Sequence, residues 1–428
     1  MTDPVVAPQP SPRYRWAVLL VISLAMFGNY YVYDSIAPIA DMLKTDLGFS
    51  DENIGQLYSV YSIAAVLVLL VGGVVIDRFG TAKSTILFAT VCTVAAVLIA
   101  VTSDLNVMLV SRFLLGLGSE PLIVAITTAL AKWFKGRELS FAFGLNLTIA
   151  RLGSVSADWS PTWARFAYSS WHGPLVVAAV IGLLCLAAAL GYGALERIAA
   201  RRYGLGKAGQ IDKLVLSDLF RFNASFWFVV ALCVTFYSAI FPFRSFSIKF
   251  FIEAWELTRQ AAGQFNSVLP LAAMFATPLF GLLVDKLGKR ALFMMAGAFL
   301  LMPVYLMMAY KVTPLGVPIV MMGIAFSMIP AVMWPSVAYI VEERRLGTAY
   351  AVMTLVQQVG VAAMNWLIGR TNDAFSASAA NPAGYVPMMW IFSVLGFLAL
   401  AFAILLRRQE TGPHAHGLET ITAGSVKA

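Results

Sequence analysis

Apolar runs of bilayer-spanning length follow one another along almost the whole chain. They lie near 16–38, 54–76, 84–103, 107–131, 138–160, 174–195, 224–248, 262–284, 291–310, 315–341, 347–369 and 385–406. A helix rises 1.5 Å per residue, so about 20 residues cross a hydrocarbon core about 30 Å thick. The runs are continuous, without the two-residue alternation of a barrel strand, which leaves helices as the spanning structure. Only 12% of the residues are charged and 60% are hydrophobic, far from the balance of a soluble domain. The fold class predicted is therefore an all-α polytopic membrane protein of twelve transmembrane helices, and a bilayer is its surroundings.

The formal net charge of +8 would suggest nucleic acid in a soluble chain. Here it is explained by orientation. With the amino terminus inside, twenty-one Lys and Arg fall in cytoplasmic segments and six, Lys249 among them, in outer ones. That asymmetry predicts both termini in the cytoplasm. No nucleic-acid partner is called for. The cysteines Cys92, Cys185 and Cys233 lie singly in apolar runs and read as small core residues. Metal-site, Walker A and nucleophile-elbow motifs are absent, which argues against an enzyme and calls for no cofactor.

A repeat divides the chain. Gly73-Val-Val-Ile-Asp77-Arg78-Phe-Gly80 follows the second run, and Gly281-Leu-Leu-Val-Asp285-Lys286-Leu-Gly288 follows the eighth, 208 residues later. Arg137-Glu-Leu with Arg151-Leu-Gly153 likewise lines up with Arg344-Arg-Leu and Gln358-Val-Gly360, at an offset of 207. Repeats at one offset predict two homologous six-helix halves, 16–195 and 224–406, with a substrate site at their interface. A polar tail (1–15), a cytoplasmic linker (196–223) and a second tail (407–428) complete the chain, the first expected to be disordered.

Three arginines and Glu120 are the charges of most interest inside the runs. Arg112 and Glu120 share the fourth, Arg151 is in the fifth and Arg244 in the seventh. A charge at the bilayer centre costs roughly 2.5–3.5 kcal/mol on insertion scales, so each needs a partner or a wet cavity. Glu120 is 12 residues from Lys132, and Arg151 is 13 from Glu138. At 1.5 Å per residue both lie about 18–20 Å from the cytoplasmic end, in one plane. A carboxylate and a guanidinium at one depth suit the two ends of a zwitterion. A permanent mutual ion pair is the plainer alternative. Tyr30 and Tyr31, with Tyr33 and Asp34, give the first run a polar aromatic face, although belt tyrosines would look the same. Trp334, before Pro335, and Gln357 and Gln358, opposite Arg151 in the repeat, are further candidates to touch substrate; packing accounts for them equally well. Arg244 either adds a positive charge to the site or snorkels outward. Asp158 is expected to be solvated.

The glycine–aspartate–basic–glycine loop and its echo resemble the signature of the major facilitator superfamily. Gly73, Asp77, Arg78 and Gly80, with Asp285, Lys286 and Gly288, are then expected to gate the cytoplasmic face by a breakable charge latch, the first glycine allowing close helix approach. Gly116-Leu-Gly-Ser-Glu120, Lys132-Trp-Phe-Lys-Gly-Arg-Glu-Leu139, Ala150-Arg151-Leu-Gly-Ser154, Phe241-Pro-Phe243, Met333-Trp334-Pro335 and Leu346-Gly-Thr-Ala-Tyr350 are similar to the lysosomal dipeptide-transporter branch and its prokaryotic relatives. That resemblance implies alternating-access transport of dipeptides or similar small zwitterions, with uniport favoured, and with the peptide's amino and carboxyl ends on Glu120 and Arg151. It gives no counterpart for Arg244. An organic-anion/proton symporter using Arg112, Arg151 and Arg244 is the alternative, and a non-transporting sensor or scaffold ranks below it. A monomer is expected, and an accessory subunit is left open. No acidic dileucine signal is evident, and the sequons at Asn146 and Asn223 lie in a span and at a cytoplasmic helix end, so a prokaryotic inner membrane is the expected address.

Overall fold

A computed structural model describes residues 10–69, 72–134, 138–203, 221–413 and 415–422. Most of the amino-terminal tail, the Lys135–Arg137 part of one motif, the middle of the linker (204–220) and the last six residues lie outside that set. The described chain is helical. In order the helices are α1 (Pro12–Asp34), α2 (Ala40–Leu47), α3 (Asp51–Leu69), α4 (Gly72–Ala100), α5 (Leu105–Phe134), α6 (Leu139–Asp158) and α7 (Ser160–Trp163). They continue as α8 (His172–Arg202), α9 (Ala224–Trp255), α10 (Arg259–Leu287), α11 (Arg290–Ala309), α12 (Gly316–Ile340), α13 (Leu346–Ala374) and α14 (Val386–Glu410). Among the described residues the single β-bridge, Ser378 with Asn381, is isolated. In hydrocarbon a helix satisfies its own backbone, which is why apolar composition resolves into this architecture.

Among the described residues ten helical segments are long and apolar enough to cross a membrane. At the second and fifth predicted spans the chain is also helical, as α3 and α6, but these helices fall outside that set, and each adjoins residues outside the described ones. Local signals fix the ends. Asn223 accepts from the Phe226 amide at 2.9 Å to start α9, and Thr258 does the same for Ala261 at the start of α10. Inside α4 the backbone breaks at Gly80, with φ 78°, and α10 ends at Gly288, with φ 68°. These are the final glycines of the two signature copies. Both occupy left-handed backbone that side chains resist, so the repeat is matched in conformation as well as letters.

The chain forms two compact units. The first comprises residues 1–35, 64–157 and 166–211; the second comprises 36–63, 158–165 and 212–428. The division does not follow the 16–195 and 224–406 halves of the repeat, because segments 36–63 and 158–165 pack on second-half helices. Small residues let helices approach within each unit. In the first, a Cβ on Gly153 would sit 2.2 Å from the Phe27 carbonyl oxygen, and one on Gly118 2.8 Å from the Cys92 sulfur. In the second, a Cβ on Gly55 would sit 2.2 Å from the Asn365 carbonyl oxygen, and one on Gly263 2.0 Å from that of Asp158. Without a hydrophobic drive between helices in lipid, close packing of this kind is the main cohesive force. Cys92, Cys185 and Cys233 are free and buried, as their apolar settings predict.

Candidate substrate site

In the first unit, α1 is the spine on which the candidate site is built. Asn29, buried on α1, donates to the Ser119 hydroxyl of α5 at 2.8 Å, one residue before Glu120. Pro121 follows, withdrawing a backbone donor from the α5 ladder beside the carboxylate. On the other side Ser23 donates to Asn146 of α6 at 3.0 Å, and Gly153 seats α6 against the Phe27 backbone. These contacts bring the stretch holding Arg151 to the same part of α1. Tyr30, half-buried, lies within electrostatic range of Glu120, Arg151 and Asp34 together. Glu120 and Arg151 are themselves only partly buried. The acid and the base singled out in sequence thus both act electrostatically on the Tyr30 phenol.

The neighbouring candidates separate. Tyr31 is buried against Ala157 and Ala178 and packs in the core. Arg112 is 2% exposed; its guanidinium donates to the carbonyls of Tyr33 at 3.2 Å and Val32 at 3.4 Å and lies over the Tyr33 ring at 5.3 Å. It thus satisfies the last carbonyls of α1, which end without intrahelical donors.

In the second unit, Trp334 donates to the Tyr237 hydroxyl at 2.9 Å and stacks on Tyr350, while Gln357 accepts weakly from the Cys233 thiol. Tyr237 and Cys233 are one turn apart on α9, so Trp334 and Gln357 share one stripe of that helix. Gln358 is buried.

Arg244 neither snorkels nor stands apart. It donates to Asp158 at 3.0 Å, and Asn266 donates to the other Asp158 oxygen at 2.7 Å. Asp158 is fully buried, so the expectation of a solvated aspartate is corrected: two polar donors hold it. Two further pairs repeat the pattern. Lys249, counted from sequence as an outer-loop residue, is fully buried within α9 and bonds Asp51 at 3.1 Å, Glu253 at 3.1 Å and the Tyr385 hydroxyl at 2.6 Å. Arg259 grips Asp41 through both guanidinium ends, at 2.5 and 2.7 Å. Asp373 of α13 accepts from the backbone amides of Asp51 and Glu52, at 2.9 and 2.7 Å, where α3 begins. In the Asp158–Arg244, Asp51–Lys249 and Asp41–Arg259 pairs the acid comes from first-half sequence and the base from second-half sequence.

The signature loops also take definite form. Asp285 pairs with Arg290 at 3.2 Å, and the Arg290 guanidinium lies 4.4 Å over the Tyr339 ring. Lys286 is exposed. In the first copy Arg78 lies over the Phe79 ring, and Gly73 is half-buried. The close helix approach expected at the leading glycine does not occur at Gly281, where a Cβ would meet nothing within 4 Å.

The geometry is that of a helical protein with spans of bilayer length and charged residues within them, and comparison with known proteins identifies the family. The model of the Major Facilitator Superfamily matches residues 22–364 and 245–425. The chain belongs to the Major Facilitator Superfamily. The lysosomal dipeptide transporter MFSD1 of Danio rerio is 33% identical over 410 residues, covering 92% of this chain and 86% of that protein. Its Homo sapiens namesake is 32% identical over 408 residues, with 92% and 86% covered. Among solved structures, a bacterial homologue of the human lysosomal transporter Spinster, in an inward-facing and unoccupied conformation, aligns with a TM-score of 0.75. It is 17% identical, over 93% of this chain and 98% of that one. The nucleoside transporter NupG aligns at 0.69 and 16% identity, over 91% and 98%. At such identities these two structures speak for the fold alone. The superfamily chain is thus an integral multi-pass membrane transporter and not an enzyme.

Sequence reasoning missed the Asp41–Arg259, Asp51–Lys249 and Asp158–Arg244 pairs. A signal was present: Asp41 and Asp51 sit in a short segment expected outside, Asp158 lies near the expected outer end of the fifth run, and Lys249 and Arg259 follow the seventh run.

Proposed function

We propose that this transporter moves dipeptides, or similar small zwitterions, by alternating access and without a coupled ion. Arg151 takes the peptide carboxylate through its two-pronged guanidinium, and Glu120 takes the ammonium. The observation that carries the reading is that Glu120 and Arg151, both partly exposed, act electrostatically on one residue of α1, Tyr30, while Asn29 of the same helix holds the residue next to Glu120. Similarity to proteins named dipeptide transporters supports the same substrate class. A dipeptide's charged ends are separated by about 3.5 Å more than an amino acid's, so length discriminates between them. Trp334, Gln357 and Gln358 supply the second half's contacts to the peptide unit.

Transport then needs no bond-making. The halves 16–195 and 224–406 rock about the site, and substrate shifts the populations of the two states through its differential affinity. Opening to the outside breaks the Asp41–Arg259, Asp51–Lys249 and Asp158–Arg244 pairs; the loops holding Asp77 and Asp285 close and release the other face. A prokaryotic inner membrane, with both termini cytoplasmic, remains the address we infer from the sequence, although the relatives above are named for the lysosome.

Uptake into proteoliposomes of a dipeptide panel, against amino acids and dicarboxylates and with or without a pH gradient, tests the proposal. Dipeptide uptake insensitive to the gradient is expected. Uptake of carboxylates alone, driven by protons, would replace it with an anion symporter.

A further inference from the structure

At the cytoplasmic end assigned by sequence, the first unit has a cavity of about 720 Å³ between α4, α5 and α8, in the size range of small-ligand sites. Four cations line it, Arg78, Lys83, Lys132 and Arg197, with two carboxylates, Asp77 and Glu196. The carboxylates are engaged. Glu196 accepts from Lys132 at 2.7 Å, Trp133 at 3.2 Å and Thr81 at 3.1 Å, and from the Tyr192 hydroxyl, which makes a rigid floor. Asp77 also has a partner. Among the described residues Lys83 and Arg197 enter no ion pair, and Arg78 lies over the Phe79 ring. Four cations against two engaged carboxylates leave the cavity lining with an excess of positive charge.

The second unit shows what such a place accepts. At the repeat offset of 208, Lys83 corresponds to Ala291, and Arg407, 210 residues after Arg197, likewise ends the last helix of its half. There the carboxyl-terminal tail folds back. The Glu419 carboxylate accepts from the Ala291 amide at 2.8 Å and lies 3.9 Å from Arg407. The Lys289 and Arg290 amides hold the backbone of Glu419 and Leu418, and Leu418 is fully buried. In the second half, then, the chain places its own oxyanion beside the signature loop.

We infer that the first-half cavity binds a phosphate oxyanion, supplied by the headgroup of an acidic phospholipid. Guanidinium and ammonium groups clustered between helices at the cytoplasmic surface match a phosphate with a fixed negative charge. The surroundings suit acyl chains: Phe79, Leu87 and Leu190, beside the cavity or one turn from it, are each about half exposed. Lipid bound there would brace the loop of Asp77 and Gly80 as Glu419 braces that of Asp285 and Gly288.

The test uses the purified, delipidated full chain in neutral detergent. Its melting temperature and retained lipid (native mass spectrometry) are followed with phosphatidylglycerol, phosphatidylcholine or inorganic phosphate. Phosphatidylglycerol is expected to raise the melting temperature and remain bound one to one, and phosphatidylcholine to do neither. Near an anionic surface each Lys or Arg contributes about 1 kcal/mol, or about fivefold in affinity. Lys83→Gln should weaken phosphatidylglycerol binding by about that factor, and Lys83→Gln with Arg197→Gln by about thirtyfold. Arg201→Gln, outside the cavity, should leave it unchanged. If inorganic phosphate reproduces the shift, and the double variant abolishes it, the site stands with free phosphate as its source. Equal effects of the two lipids, or wild-type affinity in the single and double variants, would overturn the assignment.

Discussion

Arg244 and Arg151 are both arginines within apolar runs, and the structure treats them differently. Arg244 is 8% exposed, its guanidinium set on a fully buried Asp158 that Asn266 holds from the other side. Arg151 is partly exposed and, like the partly exposed Glu120, acts electrostatically on the half-buried Tyr30. The first arrangement spends its charge inside the fold. The second keeps its guanidinium partly exposed, in the electrostatic neighbourhood of a phenol that also feels Glu120. The two arginines thus differ in burial, and the substrate role proposed for Arg151 is what the variants below test.

The largest effect should come from breaking the first arrangement. Asp158→Ala leaves a buried guanidinium without its carboxylate, a loss of about 3–5 kcal/mol for pairs of this kind. Thermal unfolding in detergent should show it as a pronounced fall in melting temperature. Asp158→Leu combined with Arg244→Met should recover most of it, because well-packed apolar residues replace a buried pair at little cost. Arg151→Ala should lower the melting temperature less, yet abolish the shift produced by dipeptide, as should Glu120→Ala. Should Arg151→Ala destabilise the ligand-free protein as much as Asp158→Ala does, the two arginines are alike and the substrate role of Arg151 falls.

Much of this was legible beforehand. Apolar run length determines where helices form, because the bilayer allows few alternatives. The repeat at 208 residues pairs Gly80 with Gly288, and both take a positive φ that a side chain resists. A common depth for Glu120 and Arg151 was expected from counting residues along a helix, and both act electrostatically on Tyr30. Azimuth and partners were not legible. Nothing local to Arg244 names Asp158, 86 positions away, and nothing local to Lys249 names Asp51, 198 away. A basic residue just past an apolar run reads as a loop residue until α9 is seen to continue to Trp255. Folding of Leu418 and Glu419 onto α11 was equally hidden, because a short polar tail carries no periodicity to read.

An intermediate effect is expected from Gly153→Ala. The added methyl would lie 2.2 Å from the Phe27 carbonyl oxygen, which is backbone and cannot rotate away. Forcing such a contact costs typically about 1–3 kcal/mol, and the relief is for α6 to move off α1. Arg151 is two residues away and would move with it. Dipeptide affinity, read by ligand-induced thermal shift, should therefore drop together with stability. A variant that loses stability but keeps its affinity would show that α1 does not set the position of Arg151.

The smallest change in stability, and the sharpest use of the comparison, is Asn29→Ala. Its amide donates to Ser119 at 2.8 Å, and a single intramolecular hydrogen bond contributes only about 0.5–1.5 kcal/mol net. As a cohesive contact it is minor beside the Asp158 pair. As a positioning contact it acts on the residue next to Glu120, in a helix already loosened by Pro121. The expected result is thus a modest fall in melting temperature with a disproportionate loss of dipeptide affinity, and a smaller loss of affinity for substrates lacking the ammonium that Glu120 would hold. A structural role alone would lower affinity for all substrates equally. The contrast between peptides with free and with acetylated amino ends therefore separates the two, at a site where stability by itself says little.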